Sequence, residues 1–287
     1  MTTPHPEPAP ELAAKRDRLV ALLRSFGSCA VAFSGGLDST VLAKAAQLAL
    51  GDRAVAVTGV SASMAAGEAE ECARLAALIG IRHQMIETGE LDNPEYQKND
   101  ANRCYHCKTD LFLRVEAVAS QVDVAVVADG SNWDDRGDHR PGMRASRDLK
   151  VRSPLAECEL TKLEIRQLAA HWELPIWDKP ATPCLSSRIA YGETVTAERL
   201  AMVDRGERFL RAQGFQPCRV RYHKGDLARV EVAQDSVDRL LDPALRRAVV
   251  DELKSAGFKY VAIDLEGFRS GSMNAVLPVE SLAIVRR

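Results

Sequence analysis

The chain lacks any apolar run approaching the roughly 18 residues that a membrane-spanning helix needs, and its opening "MTTPHPEPAPE" lacks the apolar stretch of an export signal. The expected setting is the cytoplasm, with no membrane partner. A charge imbalance is also missing: 38 Lys and Arg stand against 40 Asp and Glu. Such a balance creates no long-range field that would gather nucleic acid, so any anion has to be held by a local constellation. Internal repeats are absent, and the four prolines of the first ten residues fit neither a helix interior nor a sheet ladder, so residues 1–11 read as a disordered tail. An even set of cysteines is wanting too. The seven, Cys29, Cys72, Cys104, Cys107, Cys158, Cys184 and Cys218, occur in a chain long enough to fold without disulfide staples, which leaves packing, metal binding and catalysis as their uses. Cys29 and Cys72 lie in apolar strand-like and helix-like patterns and read as core residues, whereas Cys158 and Cys218 carry no assigned role.

What is present is a regular alternation. "SCAVAFSGG" reads as a strand and "LDSTVLAKAAQLALG" as a helix; "RAVAVTGVS", "AAGEAEECARLAALIG" and "RHQMIET" repeat the pattern, and "HCKTDLFLRVEAVASQ" with "VDVAVVADG" adds a helix and a fourth buried strand. Strand–helix alternation of this length implies right-handed crossovers and a doubly wound, mainly parallel α/β sheet over residues 12–190, with ligands beyond the C-terminal strand ends. From Thr161 the pattern changes. "TKLEIRQLAAHWELP" and "TAERLAMVDRGERFLRAQG" read as helices, "CRVRYH" and "ARVEVA" as short strands, and "DPALRRAVVDELKSAG" with "KYVAIDLEG" as a helix and a strand. Residues 191–287 are therefore expected to form a smaller α+β unit, which suits substrate binding or oligomer formation.

Between the first strand and its helix lies "FSGGLDST". Gly35 and Gly36 let the backbone approach a ligand closely, and the helix start directs free N–H groups at the same spot, which makes an anion cradle. The lysine of GxxxxGK[ST] is missing, so it is not a P-loop. The hexapeptide Ser34–Ser39 resembles instead the PP-loop of ATP pyrophosphatases. That resemblance implies cleavage of ATP to AMP and pyrophosphate, with Ser34, Gly35, Gly36, Asp38 and Ser39 shaping the phosphate site and Asp38 a candidate Mg²⁺ ligand. "ADGSNWDD" after the fourth strand clusters Asp129, Asn132, Asp134 and Asp135, and resembles the second nucleotide motif of the same superfamily, as in NAD and GMP synthetases.

Four later stretches follow in order: "HRPGMRASRDLKVRSPLAE" from His139, "LPIWDKPATPCLSSRIAYGE" from Leu174, "RVRYHKGDLARVEV" from Arg219 and "LEGFRSGSMN" from Leu265. With the PP-loop they closely resemble the LarE family of ATP-dependent sacrificial sulfur transferases, from about Leu12 to Arg286. The resemblance implies that a carboxylate of pyridinium-3,5-biscarboxylic acid mononucleotide is adenylated on the way to the nickel-pincer cofactor of lactate racemase. Cys184 aligns with the family's sulfur donor, which leaves its sulfur on the substrate as a thiocarboxylate and becomes dehydroalanine. The family also implies a homo-oligomer and, as partners, other proteins of the same cofactor pathway.

The residues suit that chemistry. A thiolate is a good nucleophile near neutral pH when its charge is favoured, and Arg188, four residues beyond Cys184, is a candidate for stabilising the thiolate or an oxyanion, with a surface ion pair as the plainer alternative. On "CRVRYH", Arg219, Arg221 and His223 share a face by the period of two, and paired arginines suit phosphate or carboxylate. Ser187, Glu207, Glu231, Arg269, Ser270 and Ser272 are further substrate-site candidates. Cys104 and Cys107 form a CxxC around His106, too little by itself for a structural zinc site. Together with Cys184 they resemble the three thiolates that hold a [4Fe–4S] cluster in tRNA-thiolating PP-loop enzymes. A second route therefore draws sulfur from a cluster and keeps Cys184 as a permanent ligand, behind the sacrificial route. Two further readings, tRNA thiolation and amidation by an ammonia-dependent synthetase, lack a basic face in the first case and any need for a site cysteine in the second.

Overall fold

Short runs rich in Val and Ala build β1 (Cys29–Ala32), β2 (Ala54–Val60) and β4 (Val126–Ala128), and a more polar run forms the edge strand β3 (Arg82–Glu87) of one parallel sheet in the order β3-β2-β1-β4. β1 is central, with Val31 opposite Ala56 of β2 on one side and Ala128 of β4 on the other. Its side chains are buried on both faces, as a sheet covered by helices on both sides requires. The chain leaves β1 towards β2 on one side and later returns to pair β4 on the other. The crevice beyond the ends of β1 and β4 is thus the topological switch point at which such sheets bind ligands. The computed structural model describes residues 8–121, 123–137, 141–180 and 182–276. Residues 1–7 of the expected tail, His139 and the end of the family resemblance at Arg286 lie outside the described residues.

The helices follow from apolar stripes and their caps. α1 (Pro10–Ser25), not anticipated from the proline-rich start, buries Leu12, Leu19 and Leu23 and packs beside α2 (Leu37–Leu50). Each such leucine contributes about 1.5–3 kcal/mol when withdrawn from water. α3 (Glu68–Ile79) stops at Gly80, whose φ of +78° is the left-handed cap that glycine adopts without a Cβ penalty. The short α4 (Pro94–Gln97) leads into α5 (Arg103–Gln121), followed by α6 (Pro141–Asp148), α7 (Pro154–Glu157) and α8 (Lys162–His171). The start of α8 is fixed by a capping box in which Thr161 and Glu164 each satisfy the other's backbone N–H.

In the C-terminal part α9 (Ala197–Ala212) and α10 (Pro243–Ser255) cover a second sheet of β5 (Cys218–His223), β6 (Leu227–Val232) and β7 (Tyr260–Ile263), in the order β5-β6-β7. β5 and β6 are antiparallel and β6 and β7 parallel, so the fold is a doubly wound α/β sheet with a smaller α+β part. Leu200, Val203 and Leu210 of α9 pack on Val220, Tyr222 and Val230, and the same core takes in Tyr96, Leu185 and Ile189 from earlier in the chain. The segment carrying Cys184 is strapped at both ends: Leu185 N–H donates to Ser63 O after β2 at 2.9 Å, and Ala190 N–H donates to Tyr222 O of β5 at 2.9 Å.

Candidate active site

The glycine loop and the first turn of α2 line a cavity of about 470 Å³ at the switch point, with Cys107 and Cys184 on its wall. Gly35 holds φ at +64°, and a Cβ there would lie 3.0 Å from Cys72 Sγ, so the loop runs close over α3 in a conformation suited to glycine. Ser39 Oγ accepts Ser34 N–H at 3.3 Å and lies 3.2 Å from Ser34 Oγ, bracing the loop across its mouth. The N–H groups opening α2 have no intrahelical acceptors and supply the positive end of the helix to the same space.

The loop after β4 closes one side. A Cβ on Gly130 would stand 2.9 Å from Ser39 N, so the two loops touch through backbone. Asn132 Nδ2 donates to Asp38 Oδ1 at 3.3 Å, and Lys162, the first residue of α8, pairs with Asp38 Oδ2. Asp129 is buried and accepts from Ser153 Oγ at 2.8 Å, Ser146 Oγ at 2.7 Å and Ser131 N–H at 3.0 Å. Asp135 accepts Asn132 N–H at 3.1 Å and Asp134 accepts Lys162 N–H at 2.8 Å. The acidic loop therefore spends most of its carboxylate oxygens on shaping itself. Asp38 lines the cavity beside the glycine loop, a place that suits Mg²⁺, which takes only one or two carboxylate oxygens when it is bound through phosphates.

Cys184 is exposed and opens a short 3₁₀ turn, Leu185–Arg188. Its carbonyl accepts Ser187 N–H at 3.0 Å, Ser187 Oγ at 2.8 Å and Arg188 Nη1 at 2.9 Å, which fixes the backbone that presents the thiol. Arg188 is 1% exposed and Glu207 0%; Nε and Nη2 of the guanidinium meet the two carboxylate oxygens at 2.9 and 3.2 Å, and Nη1 also holds Pro183 O. Arg188 is therefore not a surface ion pair but a buried strut beneath the cysteine loop. Glu207 is shared with Arg211 at 3.2 Å.

The three cysteines of the cluster reading occupy one neighbourhood. Burial pushes the Cys107 thiol up, and the charges of Cys184, Glu90 and Cys104 push it further. Burial and then Cys184 do the same to Tyr96, whose hydroxyl meets Ser186 Oγ. Yet among the described residues no three His, Cys, Asp or Glu side chains are arranged to hold a metal ion. The remaining cysteines are buried, and burial raises Cys29 to about 12 and Cys218 to about 11.

Across Pro183 lies a second cavity of about 210 Å³, lined by Arg103, Ser187, Arg219, Arg221 and Ser270 among others. Arg221 is buried against Glu231 at 2.8 Å, and Glu231 also pairs with Arg229 at 3.0 Å and accepts Ser272 Oγ at 2.7 Å. Arg219 lies over the Phe268 ring at 5.2 Å. His223 meets Arg229 Nε at 3.1 Å, and Arg269, half-exposed, pairs with Asp264 and Glu266 outside the cavity lining. Glu207 and Glu231 thus act on arginines from behind.

Sequence reasoning missed Lys162, Lys108, Lys179 and Glu90 in the first cavity and Arg103 in the second. Lys162 follows a capping threonine, which places it at a helix start facing the strand ends, and Arg103 immediately precedes Cys104.

No family model matches the chain. It is 42% identical over 266 residues to an uncharacterized protein of Synechocystis, covering 93% of this chain and 99% of that one. It is 36% identical over 273 residues to the pyridinium-3,5-bisthiocarboxylic acid mononucleotide synthase of Lactiplantibacillus plantarum, covering 95% and 98%. An uncharacterized protein of Methanocaldococcus jannaschii is 33% identical over 173 residues, 60% of this chain and 66% of that one.

Proposed function

The chain belongs to the LarE family, that of pyridinium-3,5-bisthiocarboxylic acid mononucleotide synthase, and on that premise we propose that it is an ATP-dependent sulfurtransferase of nickel-pincer cofactor biosynthesis. Its substrate is pyridinium-3,5-biscarboxylic acid mononucleotide, and its product carries thiocarboxylate in place of carboxylate. The observation that carries the reading is the meeting of the phosphate cradle and Cys184 on one cavity, with the arginine-lined cavity next to it across Pro183.

ATP lies with its phosphates on Ser34–Ser39, where Gly35, Gly36 and the start of α2 receive the charge of departing pyrophosphate. Asp38 would hold Mg²⁺ together with phosphate oxygens, and the ion when bound would supply charge neutralisation there. Asn132 and Lys162 orient Asp38, and Asp129 and Asp135 hold the facing loop that packs on the cradle. A substrate carboxylate oxygen attacks the α-phosphorus and pyrophosphate leaves, which turns an unreactive carboxylate into an acyl adenylate. Cys184 Sγ then adds to the carbonyl carbon and AMP departs with its oxygen, giving a thioester. Loss of the Cys184 Cα proton and cleavage of its Cβ–S bond leave thiocarboxylate on the substrate and dehydroalanine in the chain. Arg219 and Arg221 receive the anionic tail of the substrate, with Ser187 and Ser270 beside them.

A second reading retains Cys184 and takes sulfide from a [4Fe–4S] cluster on Cys104, Cys107 and Cys184. Its support is that Cys104 and Cys184 lie close enough to Cys107 to raise it, but as they stand the three thiols do not form a ligand set. Purification without oxygen, iron analysis and the intact mass after one turnover decide between the two. The sacrificial route requires iron-free protein that loses the elements of H₂S at Cys184. Iron-loaded protein of unchanged mass after repeated turnover would overturn it. No helix among the described residues is long and apolar enough to cross a membrane, and the exposed Tyr260 and Leu265 of the C-terminal part suit a homo-oligomer. Cytoplasmic placement and pathway partners follow from the same reading.

A further inference from the structure

The second cavity holds a cation that the proposed chemistry leaves unused. Arg103, the first residue of α5, is only 6% exposed, yet Nη1 is spent on neutral acceptors, Asn99 Oδ1 at 2.6 Å and Ser186 O at 2.8 Å. Among the described residues no carboxylate lies within ion-pair reach of it. The contrast with its neighbours is plain, because buried Arg188 and Arg221 are matched by Glu207 and Glu231. Burial opposes the charge of Arg103, but the ionised forms of Cys184, Cys104, Tyr191 and Tyr96 favour it and together raise it above its ordinary value, so the surroundings of this guanidinium already suit an anion. A buried guanidinium without a carboxylate is costly unless an anion arrives to meet it. Arg219, the other arginine of this cavity outside a described ion pair, donates to Cys218 O at 2.7 Å.

These two cations lie in one cavity and belong to different elements, Arg103 to α5 beside the cysteine loop and Arg219 to β5. A substrate with anions at both ends fits that division. In pyridinium-3,5-biscarboxylic acid mononucleotide the phosphate lies on the ribose side, and the carboxylate not being adenylated projects from the ring. We propose that Arg103 is the specificity-determining residue that binds the second, non-reacting carboxylate of the ring, while Arg219 and Arg221 take the phosphate. The proposal rests on the functional reading above. The guanidinium fork suits a planar carboxylate, and a site built around a buried donor rejects an analogue that leaves the donor unpaired. Arg103 touches Ser186 O, two residues from Cys184, so the anchored ring is held next to the thiol. The name of the plantarum relative specifies two thiocarboxylates. In a second round, on a fresh copy of the chain that still has its Cys184 sulfur, Arg103 would hold the thiocarboxylate already formed, an anion of the same charge.

The test uses the full chain and isothermal titration with three probes: pyridine-3,5-dicarboxylate, pyridine-3-carboxylate and inorganic phosphate. Wild type is expected to prefer the dicarboxylate over the monocarboxylate by about 10-fold or more, the scale of one charge-assisted hydrogen-bonded contact. Arg103→Met should lose that preference and keep phosphate binding, and Arg103→Lys, which retains the charge without the fork, should keep part of it. An unchanged preference in Arg103→Met, no preference in wild type, or equal loss of phosphate and dicarboxylate in Arg103→Met would each overturn the assignment, the last by making Arg103 a strut for the Asn99–Ser186 contacts. If Arg103→Met does not fold, the proposal stands or falls on Arg103→Lys, where a preference equal to wild type overturns it. Turnover of the mononucleotide by wild type is measured separately. No thiocarboxylate from wild type defeats the functional reading, whereas turnover with an unaltered ring preference in the variants defeats only the role of Arg103.

Discussion

Arg188 shows how a single side chain can serve a reaction without facing it. Two of its nitrogens bind Glu207 out of water, and the third holds the carbonyls of Pro183 and Cys184 at the edge of the exposed cysteine loop. Removing one partner of a buried pair leaves the other charge uncompensated and costs about 3–5 kcal/mol. Arg188→Met is therefore expected to lower the free energy of unfolding in urea by that order, and Arg188→Lys, which cannot reproduce the fork, should recover little of it. A loss well under 1 kcal/mol in Arg188→Met would mean that Arg211 alone satisfies Glu207. His83 offers a pH-dependent counterpart. Thr58 Oγ1 donates to Phe33 O at 2.8 Å and so accepts from His83 Nε2 at 2.8 Å, behind the strand that leads into the glycine loop. Burial lowers the imidazole below its ordinary 6.5, so protonation favours the unfolded chain. The contribution of this group is constant above pH 6.5 and declines as pH falls from there towards the folded-state value. Urea midpoints measured from pH 7.5 to 5.5 should fall less in His83→Gln than in wild type; parallel curves would exclude His83 as a source of the slope.

At the scale of elements the glycine loop is the most constrained piece. Gly35→Ala places a Cβ 3.0 Å from Cys72 Sγ and holds alanine at a φ of +64°, a region that costs a non-glycine residue about 1–2 kcal/mol. The expected result is a modest loss of stability with a much larger rise in the ATP concentration needed for half-saturation, and little change in phosphate binding at the arginine cavity. Equal effects on both ligands would show a general loosening instead. The strands and helices around this loop could be read from sequence because periods of 2 and 3.6 are local properties, and the capping threonine of α8 is a local signal as well. α1 escaped notice because the prolines before it suggested disorder, yet Pro10 suits a first helical position. Pairings across long sequence separations were out of reach. The nearness of Arg188 to Cys184 in sequence suggests a partner for the thiolate or a surface ion pair, but the turn between them sends the guanidinium under the loop to Glu207, 19 residues on. Asp38 and Lys162 are 124 residues apart, and only the fold brings them together. That Arg219 and Arg221 share a face was legible, since period-two alternation fixes it, and both line the second cavity.

At the scale of the molecule the cysteine loop belongs to both halves, and this decides where the chain can be cut. Leu185 is bound to the loop after β2, while Leu185 and Ile189, each 2% exposed, and Tyr96 at 1% are packed in the core of the C-terminal part. Fully burying side chains of this size contributes about 1.5–3 kcal/mol each, and a small domain has only about 5–15 kcal/mol in all. Residues 191–287 expressed alone would lose these three apolar partners and leave Glu207 without Arg188. They are expected to give no cooperative thermal unfolding transition and to bind apolar dyes. Starting at Pro183 instead restores Leu185, Ile189 and the ion pair at once, and should bring back part of the cooperativity while Tyr96 remains missing. If the fragment from residue 191 melts cooperatively by itself, the loop is an appendage of the C-terminal part. If only the longer one does, the loop that presents Cys184 is part of its core, and the cut that respects the packing falls before Pro183 rather than after Ala190.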